Sequence, residues 1–347
     1  MMRAIIILAL GAIIFFVIVK MAGEREESAA ERQAREEATT LAPIVGDPEI
    51  IPVPAPAMKG PAIPNLFEKL YDGRDLKLGQ VLDRNSAYTR YYITYQSGDL
   101  SISGIMNIPT GTPPEGGFPV LILAHGHIDT SIYTNGRGLK REQDYLARQG
   151  FVVIHPDYRN HAESSRTEED EVVTRLGYVE DVINLVYAVR ASDLKALHKE
   201  KFGLLGHSMG GGIAQTIAVA KPELIKAIIL YAPVSMDFRD SYKRWIERRP
   251  EAVEKIEKLY GGPEKNPEFW SNVSAETFAH RIAVPIVIHH GTADQDVPFA
   301  WSEKTVKLLK EKEKTVELHT YPGEGHEFGA QWTLFMERSA DFFRKNL

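Results

Sequence analysis

The chain has 347 residues, of which 44% are hydrophobic and 25% are charged, a composition that excludes a disordered, collagen-like or multi-span membrane protein. Its net charge of -6, without a basic block in the body of the chain, argues against nucleic-acid binding. Since the sequence contains no cysteine, any catalysis must use an oxygen or nitrogen nucleophile, or a metal held by histidines and carboxylates.

An uncharged apolar run covers residues 4–19, between Arg3 and Lys20. As a helix it would be roughly 24 Å long, somewhat short of the ~30 Å hydrocarbon core of a bilayer. Lys20 stands where signal-peptide cleavage needs a small residue, so we expect residues 1–20 to be an uncleaved membrane anchor. Arg3 before the run and a cluster of acids after it place the remaining chain outside the cytoplasm, and cleavage would make it a secreted protein.

Residues 21–65 lack the apolar periodicity of a folded core. Their first half is rich in Ala, Glu and Arg with opposite charges four residues apart, which suits a short solvated helix. Residues 42–64 then contain seven prolines, which favour an extended, semi-rigid backbone. We therefore predict a stalk over residues 21–65, followed by a catalytic domain over residues 66–347.

The domain after the stalk is predicted to have an α/β fold. Two β-rich runs separated by Ser-Gly-Asp, at 91–96 and 100–108, indicate an antiparallel hairpin. Strands and helices then alternate over more than 200 residues, which predicts a mostly parallel, doubly wound sheet with helices on both faces. The predicted strands are 119–124, 151–155, 202–205, 227–232, 286–289 and 316–321.

Residues 236–280 form an insertion too long for an ordinary connection between two strands, so we predict a small helical cap there. Four aromatic side chains in it are candidates for lining a pocket, although packing within the cap is the commoner role: Trp245, Tyr260, Phe269 and Trp270. Near the end of an earlier strand, Asp157 and Arg159 are interpreted as a charged pair that braces the loops above the sheet, and lining of the substrate pocket is the lesser alternative.

The residues Gly206-His207-Ser208-Met209-Gly210 follow a predicted strand and precede a predicted helix. A serine on such a sharp turn needs small residues two positions away on either side, and Gly206 and Gly210 provide them. This pattern in this context predicts a nucleophile elbow with Ser208 as the nucleophile.

A serine hydroxyl needs a general base, and the base needs an acid to orient it. At the ends of the next two strands the chain places His-Gly-Thr-Ala-Asp, ending at Asp294, and Gly-Glu-Gly-His, ending at His326. We predict Asp294 as the orienting acid and His326 as the base. Asp296, two residues further along the same loop, is the alternative acid.

The oxyanion formed during such a reaction needs two hydrogen-bond donors. The backbone N–H of Met209, directly after the nucleophile, is one candidate. The turn after the first parallel strand supplies the other, the backbone N–H of His127.

The same turn reads His125, His127, Asp129, which is also the beginning of a metallo-hydrolase ligand run. The run has Thr130 where such motifs carry another histidine, and a metal site would leave the serine turn unexplained. We therefore predict no catalytic metal and keep the metallo-hydrolase as the rival interpretation.

Taken together, these motifs resemble the α/β-hydrolase superfamily, and most closely the catalytic domain of the prolyl oligopeptidase (S9) family of serine peptidases. The resemblance covers roughly residues 85–345. It implies Ser208 as nucleophile, Asp294 as acid and His326 as base, in agreement with the residue-level predictions. Two departures are a stalk where many members carry an amino-terminal β-propeller, and His127 where some members have a tyrosine or a second glycine.

We expect a serine hydrolase that cleaves a small peptide or ester substrate through an acyl-enzyme, with no cofactor. The resemblance implies a serine-type peptidase. A carboxylesterase is the first alternative, because an ester has a better leaving group than an amide and asks less of acid catalysis. A catalytically silent binding module on a membrane stalk is the alternative outside enzymes.

Overall fold

The protein is described by a computed structural model over residues 58–347. The predicted membrane anchor and residues 21–57 of the predicted stalk lie outside these described residues, so the extracytoplasmic location stays a prediction. Within residues 58–347, no helix combines the length and the apolar character needed to cross a membrane.

A single nine-stranded sheet forms the centre of the domain, in the order β1-β2-β3-β5-β4-β6-β7-β8-β9. The first three strands are antiparallel, β3 pairs antiparallel with β5, and all remaining pairs are parallel. The strands are β1 Arg74–Arg84, β2 Tyr88–Ser97, β3 Leu100–Pro109, β4 Phe118–Ala124, β5 Val152–Pro156, β6 Leu197–His207, β7 Ala227–Tyr231, β8 Ile286–Gly291 and β9 Val316–Tyr321. The predicted α/β fold, with its antiparallel beginning, is confirmed.

One strand was not predicted from the sequence. β1 lies at the edge of the sheet and most of its residues are exposed. Its sequence is rich in charged residues, so it lacks the alternation of buried apolar side chains that reveals a strand. Packing also begins ahead of residue 66, since Ile63 is fully buried in the core.

Helices cover both faces of the sheet, and the sheet separates two buried apolar layers. The larger layer lies under two long helices, and Val182 and Ile217 in it are fully buried. The described α-helices outside the cap are α1 Lys140–Arg148, α2 Glu171–Ala191, α3 Met209–Ala220, α7 Phe299–Glu311 and α8 Trp332–Asn346. This arrangement leaves the carboxyl ends of β6, β8 and β9 at one edge, where the predicted site residues follow.

The predicted insertion is helical. It contains α4 Phe238–Ser241, a π-helical turn Tyr242–Ile246, α5 Pro250–Tyr260, α6 Pro267–Asn272 and a 3-10 helix Ala275–Arg281. Trp270 is fully buried at its centre and donates from its indole nitrogen to the carbonyl of Gly261 at 3.0 Å. The insertion therefore has a small apolar core of its own.

The predicted charged pair of Asp157 and Arg159 is wrong. Arg159 instead pairs with Asp181, 3.0 Å from Nη2 to Oδ1, and both side chains are almost completely buried. Asp157 is fully buried and accepts hydrogen bonds from the hydroxyls of Ser103 and Tyr133 at 2.6 and 2.8 Å. Asp157 and Arg159 therefore brace the loops separately, because the carboxylate that reaches the Arg159 guanidinium is that of Asp181 on α2.

Several imidazoles are buried beside the β4 and β5 strand ends. The His125 ring lies 5.1 Å from the His155 ring and 4.3 Å from the Tyr158 ring. Neither ring nitrogen of His155 has a hydrogen-bond partner within the described residues. Burial lowers the pKa of His125 from 6.5 to about 3 and holds the pKa of His155 well below 6.5. These two histidines are therefore neutral in the folded protein.

Buried neutral imidazoles make stability depend on pH. In the unfolded chain these histidines titrate near 6.5, so below that pH the unfolded state binds more protons than the folded state. Unfolding free energy is therefore lost as pH falls from 6.5 towards 3.

We expect His155→Phe to reduce the slope of unfolding free energy against pH by about one proton, or ~1.4 kcal/mol per pH unit, between pH 5 and 6. Urea unfolding at several pH values measures the slope. His280→Phe, which replaces an exposed imidazole, is the matched control. A slope equal to that of the wild type in His155→Phe would contradict the expectation.

Candidate active site

Ser208 lies on a sharp turn between β6 and α3, with φ 54° and ψ −118°. A Cβ atom on Gly206 would lie 2.2 Å from the carbonyl oxygen of Gly210, and one on Gly210 would lie 2.0 Å from the carbonyl oxygen of Ala124. Neither position can therefore hold a larger residue without moving backbone. The strained serine and its two obligatory glycines have the geometry expected of a nucleophile elbow.

The loops after β8 and β9 bring Asp294 and His326 into contact. His326 Nδ1 lies 2.8 Å from Asp294 Oδ2, and because a carboxylate only accepts, the histidine carries its proton on Nδ1. The Asp294 side chain is fully buried and the His326 side chain is 17% exposed. Asp296 is exposed, so the structure places Asp294, rather than the alternative acid, against the histidine.

Four donors hold the Asp294 carboxylate. The backbone N–H groups of Asp296 and Val297 donate to Oδ1, each at 2.9 Å. His290 Nε2 lies 3.1 Å from Oδ2, on the same oxygen that His326 contacts. Burial alone would raise the pKa of Asp294, but the hydrogen bonds from His290, His326 and Val297 outweigh it and hold the pKa well below its usual range. The acid is therefore ionised and fixed in one orientation.

Ser208 and His326 line the same cleft, which encloses about 1400 Å³ including the space at its mouth. Within the part of the chain described, the Ser208 hydroxyl makes no hydrogen bond and does not cap α3. Contacts between a nucleophile and its base are often long in the free enzyme and tighten when substrate binds. The cleft thus presents a free hydroxyl beside an oriented imidazole.

Of the two predicted oxyanion donors, His127 lines this cleft, and Met209 directly follows the nucleophile and lines the neighbouring cavity. The turn after β4 packs against the nucleophile, since a Cβ atom on Gly126 would lie 3.1 Å from the Cβ of Ser208. Among residues 58–347, no turn or loop hydrogen bond uses the N–H of His127 or of Met209. Both N–H groups therefore remain available to a developing oxyanion.

The His125, His127, Asp129 run is not arranged as a metal site. The Nδ1 of His125 lies 2.7 Å from the carbonyl of Gly126, and its Nε2 lies 3.3 Å from the carbonyl of Asp157. Asp129 is exposed and accepts from the N–H and hydroxyl of Ser131. Both ring nitrogens of His125 thus face backbone oxygens, which points to a structural role in holding the turn.

Among the described residues, one group of acids and histidines has the spacing to hold a cation: Asp294, Asp296 and His326. Two of these three residues are the paired acid and histidine described above. Asp294 Oδ2 already accepts from two imidazoles, so its lone pairs are largely used. The closeness of these three residues is therefore accounted for by the hydrogen bond between Asp294 and His326.

A second cavity of about 740 Å³, including the space at its mouth, lies between the cap and helices α2 and α3. It reaches the active site at Met209, directly after the nucleophile. Of the four cap aromatics, Trp245 lines this cavity. Tyr260 stacks on Phe269 at 4.5 Å, so these two pack within the cap together with Trp270.

Two histidines and a glutamate at the site were not singled out from the sequence. His290 orients Asp294, while His207 lies against His326, with Nε2 3.1 Å from the His326 carbonyl and the ring centres 4.6 Å apart. Burial lowers the pKa of His207 to about 3, so it stays neutral. Glu324 accepts from the N–H groups of Gly329 and Gln331, each at 2.6 Å, which anchors the loop that carries His326. The signal available in the sequence was that these three residues lie within or beside the motifs of Ser208, Asp294 and His326.

Comparison with protein families gives a match to the prolyl oligopeptidase family over residues 138–347. The chain is 26% identical over 257 residues to the Bacillus subtilis protein called uncharacterized peptidase YtmA. That alignment covers 74% of this chain and 93% of the Bacillus protein.

Two solved structures show the fold at low sequence identity. The acylaminoacyl peptidase of Pyrococcus horikoshii aligns with a TM-score of 0.60 and 20% identity, over 75% of this chain and 42% of the peptidase chain. An acetyl xylan esterase from Paenibacillus sp. R4 aligns with a TM-score of 0.59 and 19% identity, over 82% of this chain and 92% of the esterase. The chain thus spans about two fifths of the peptidase and nearly all of the esterase.

Proposed function

The chain belongs to the prolyl oligopeptidase family and is a serine hydrolase, and from this premise we propose that it cleaves peptide bonds through an acyl-enzyme on Ser208. The observation that carries the proposal is the 2.8 Å hydrogen bond between Asp294 and His326, on a wall of the cleft that also contains Ser208. An imidazole oriented through its Nδ1 beside a strained serine is what nucleophilic catalysis requires.

In the proposed reaction, His326 Nε2 takes the proton of the Ser208 hydroxyl as its oxygen attacks the substrate carbonyl. Asp294 stabilises the imidazolium that forms, because its carboxylate stays ionised and accepts from Nδ1. The N–H groups of Met209 and His127 stabilise the oxyanion. His326 then protonates the leaving group, and a water molecule activated by the same imidazole releases the acyl group.

The apolar cavity beside Met209 is proposed to take the part of the substrate next to the scissile carbonyl. Its walls include Val234, Ile246 and Trp245 from the strand end and the cap. Burial of an apolar group there gains about 25 cal/mol per Å² removed from water. We therefore propose a substrate with an apolar group on the acyl side of the bond.

A second candidate, ester hydrolysis, is favoured by one observation. The esterase from Paenibacillus has this fold and is matched over 92% of its own length, so a domain of this size carries ester hydrolysis in that protein. A catalytic domain of esterase size with an open cleft also suits ester substrates, which need less help at the leaving group.

The test is kcat/KM on an ester and an amide that share one apolar acyl group. We expect both substrates to be cleaved, and a fluorophosphonate should abolish both activities and label the tryptic peptide that contains Ser208. Protein blocked by the fluorophosphonate provides the background rate. Cleavage of the ester alone would establish the esterase alternative, and failure of Ser208 to be labelled would overturn the proposal and favour a silent binding module.

A further inference from the structure

A cap arginine contacts the loop that carries Asp294, residues 292–298, which is called the acid loop below. Arg244, in the π-helical turn of the cap, donates from Nε to the carbonyl oxygen of Asp296 and from Nη2 to that of Gln295, each at 2.6 Å. The acid loop and the cap are more than 40 residues apart in sequence, so the contact is tertiary. One guanidinium thus holds two successive carbonyl groups directly after Asp294.

The peptide groups that Arg244 holds are the same two that hold the acid. The carbonyl of Gln295 and the N–H of Asp296 belong to one peptide plane, and the carbonyl of Asp296 and the N–H of Val297 belong to the next. Those two N–H groups donate to Asp294 Oδ1 at 2.9 Å. Each plane is therefore bound at its oxygen by the cap and at its nitrogen by the acid.

We propose that Arg244 is a positioning residue, which acts through these two peptide planes to orient Asp294 towards His326. The inference rests on the proposed function, in which Asp294 is the orienting acid. A cation at the carbonyl end polarises a peptide group and strengthens its N–H as a donor. It also prevents rotation of the planes, which would turn both N–H groups away from Oδ1.

The same turn of the cap connects this contact to the substrate cavity. Trp245, the next residue, lines the apolar cavity and packs edge-on against Trp301 at 5.6 Å between ring centres. Trp301 belongs to α7, the helix that follows the acid loop. The cap is therefore anchored to the acid loop and to the helix that follows it, while it forms a wall of the cavity.

Arg244→Met is expected to lower kcat about tenfold on the ester substrate, with little change in KM. Arg244→Lys keeps the cation but cannot reach both carbonyls, so it should recover part of the loss. Lys243→Met is the matched control, since it removes an exposed cation from the same turn. Near-ultraviolet circular dichroism and thermal unfolding verify that each variant folds.

A double-mutant cycle with Asp294→Asn separates positioning from a structural role. If Arg244 acts through the carboxylate, Arg244→Met should cost little further kcat in the Asp294→Asn background. A full tenfold loss in that background, or a raised KM with unchanged kcat in the single variant, would overturn the inference. An Asp294→Asn variant with wild-type kcat would instead show that the proposed function itself has failed.

Discussion

Replacing Asp294 with Asn is expected to lower kcat about 10⁴-fold, as when a serine triad loses its ionised acid but keeps its shape. The backbone N–H groups of Asp296 and Val297 both point at Oδ1, so the amide oxygen should occupy that position. The amide NH₂ then replaces Oδ2 and faces His326. A donor at that place forces the imidazole proton of His326 from Nδ1 onto Nε2. The protonated Nε2 can then no longer accept the proton of Ser208.

Steady-state rates on a chromogenic ester measure this loss, and Asp296→Asn is the matched control. Asp296 is exposed, and among the described residues its carboxylate makes no hydrogen bond to His207, His290 or His326, so its variant should keep nearly wild-type kcat. Unfolding curves for both variants show that the comparison is between folded proteins. A larger loss in Asp296→Asn than in Asp294→Asn would reverse the assignment of the acid.

The largest effect on stability is expected from Arg159→Met, which should lower the free energy of unfolding by about 3–5 kcal/mol. Asp181 is fully buried and accepts from the Nε of Arg159 at 3.1 Å and from its Nη2 at 3.0 Å. Glu169 and Glu180 also lie 3.6 Å from the guanidinium. Without the arginine, a buried carboxylate and two neighbouring acids lose their shared cation.

Urea unfolding at neutral pH measures this change. Arg148→Met is the control, because its pair with Asp144 is 47% and 42% exposed and should contribute less than about 1 kcal/mol. The double variant Arg159→Met with Asp181→Leu should recover much of the loss, since it removes the unpaired charge together with its partner. Equal destabilisation by Arg159→Met and Arg148→Met would show that burial of the pair does not govern its contribution.

Local features of the sequence were sufficient for the fold class and the nucleophile turn. Each buried strand or helix shows its burial in the spacing of its own apolar residues. This local spacing is enough to identify alternating strands and helices. The glycines around Ser208 are likewise required locally, because a side chain there would clash with residues nearby in sequence or with the adjacent strand. The edge strand β1 was missed because exposed strands bury little and leave no such pattern.

The sequence predicted Asp294 as the acid, and the tertiary structure added its contact with His326. Asp294 and Asp296 lie on one loop, and the direction of each side chain depends on the packing of that loop. The partner of Arg159 and the contact of Arg244 with the acid loop have the same origin. Each joins residues more than 20 positions apart, so only the assembled helices, cap and sheet bring the groups within hydrogen-bond distance.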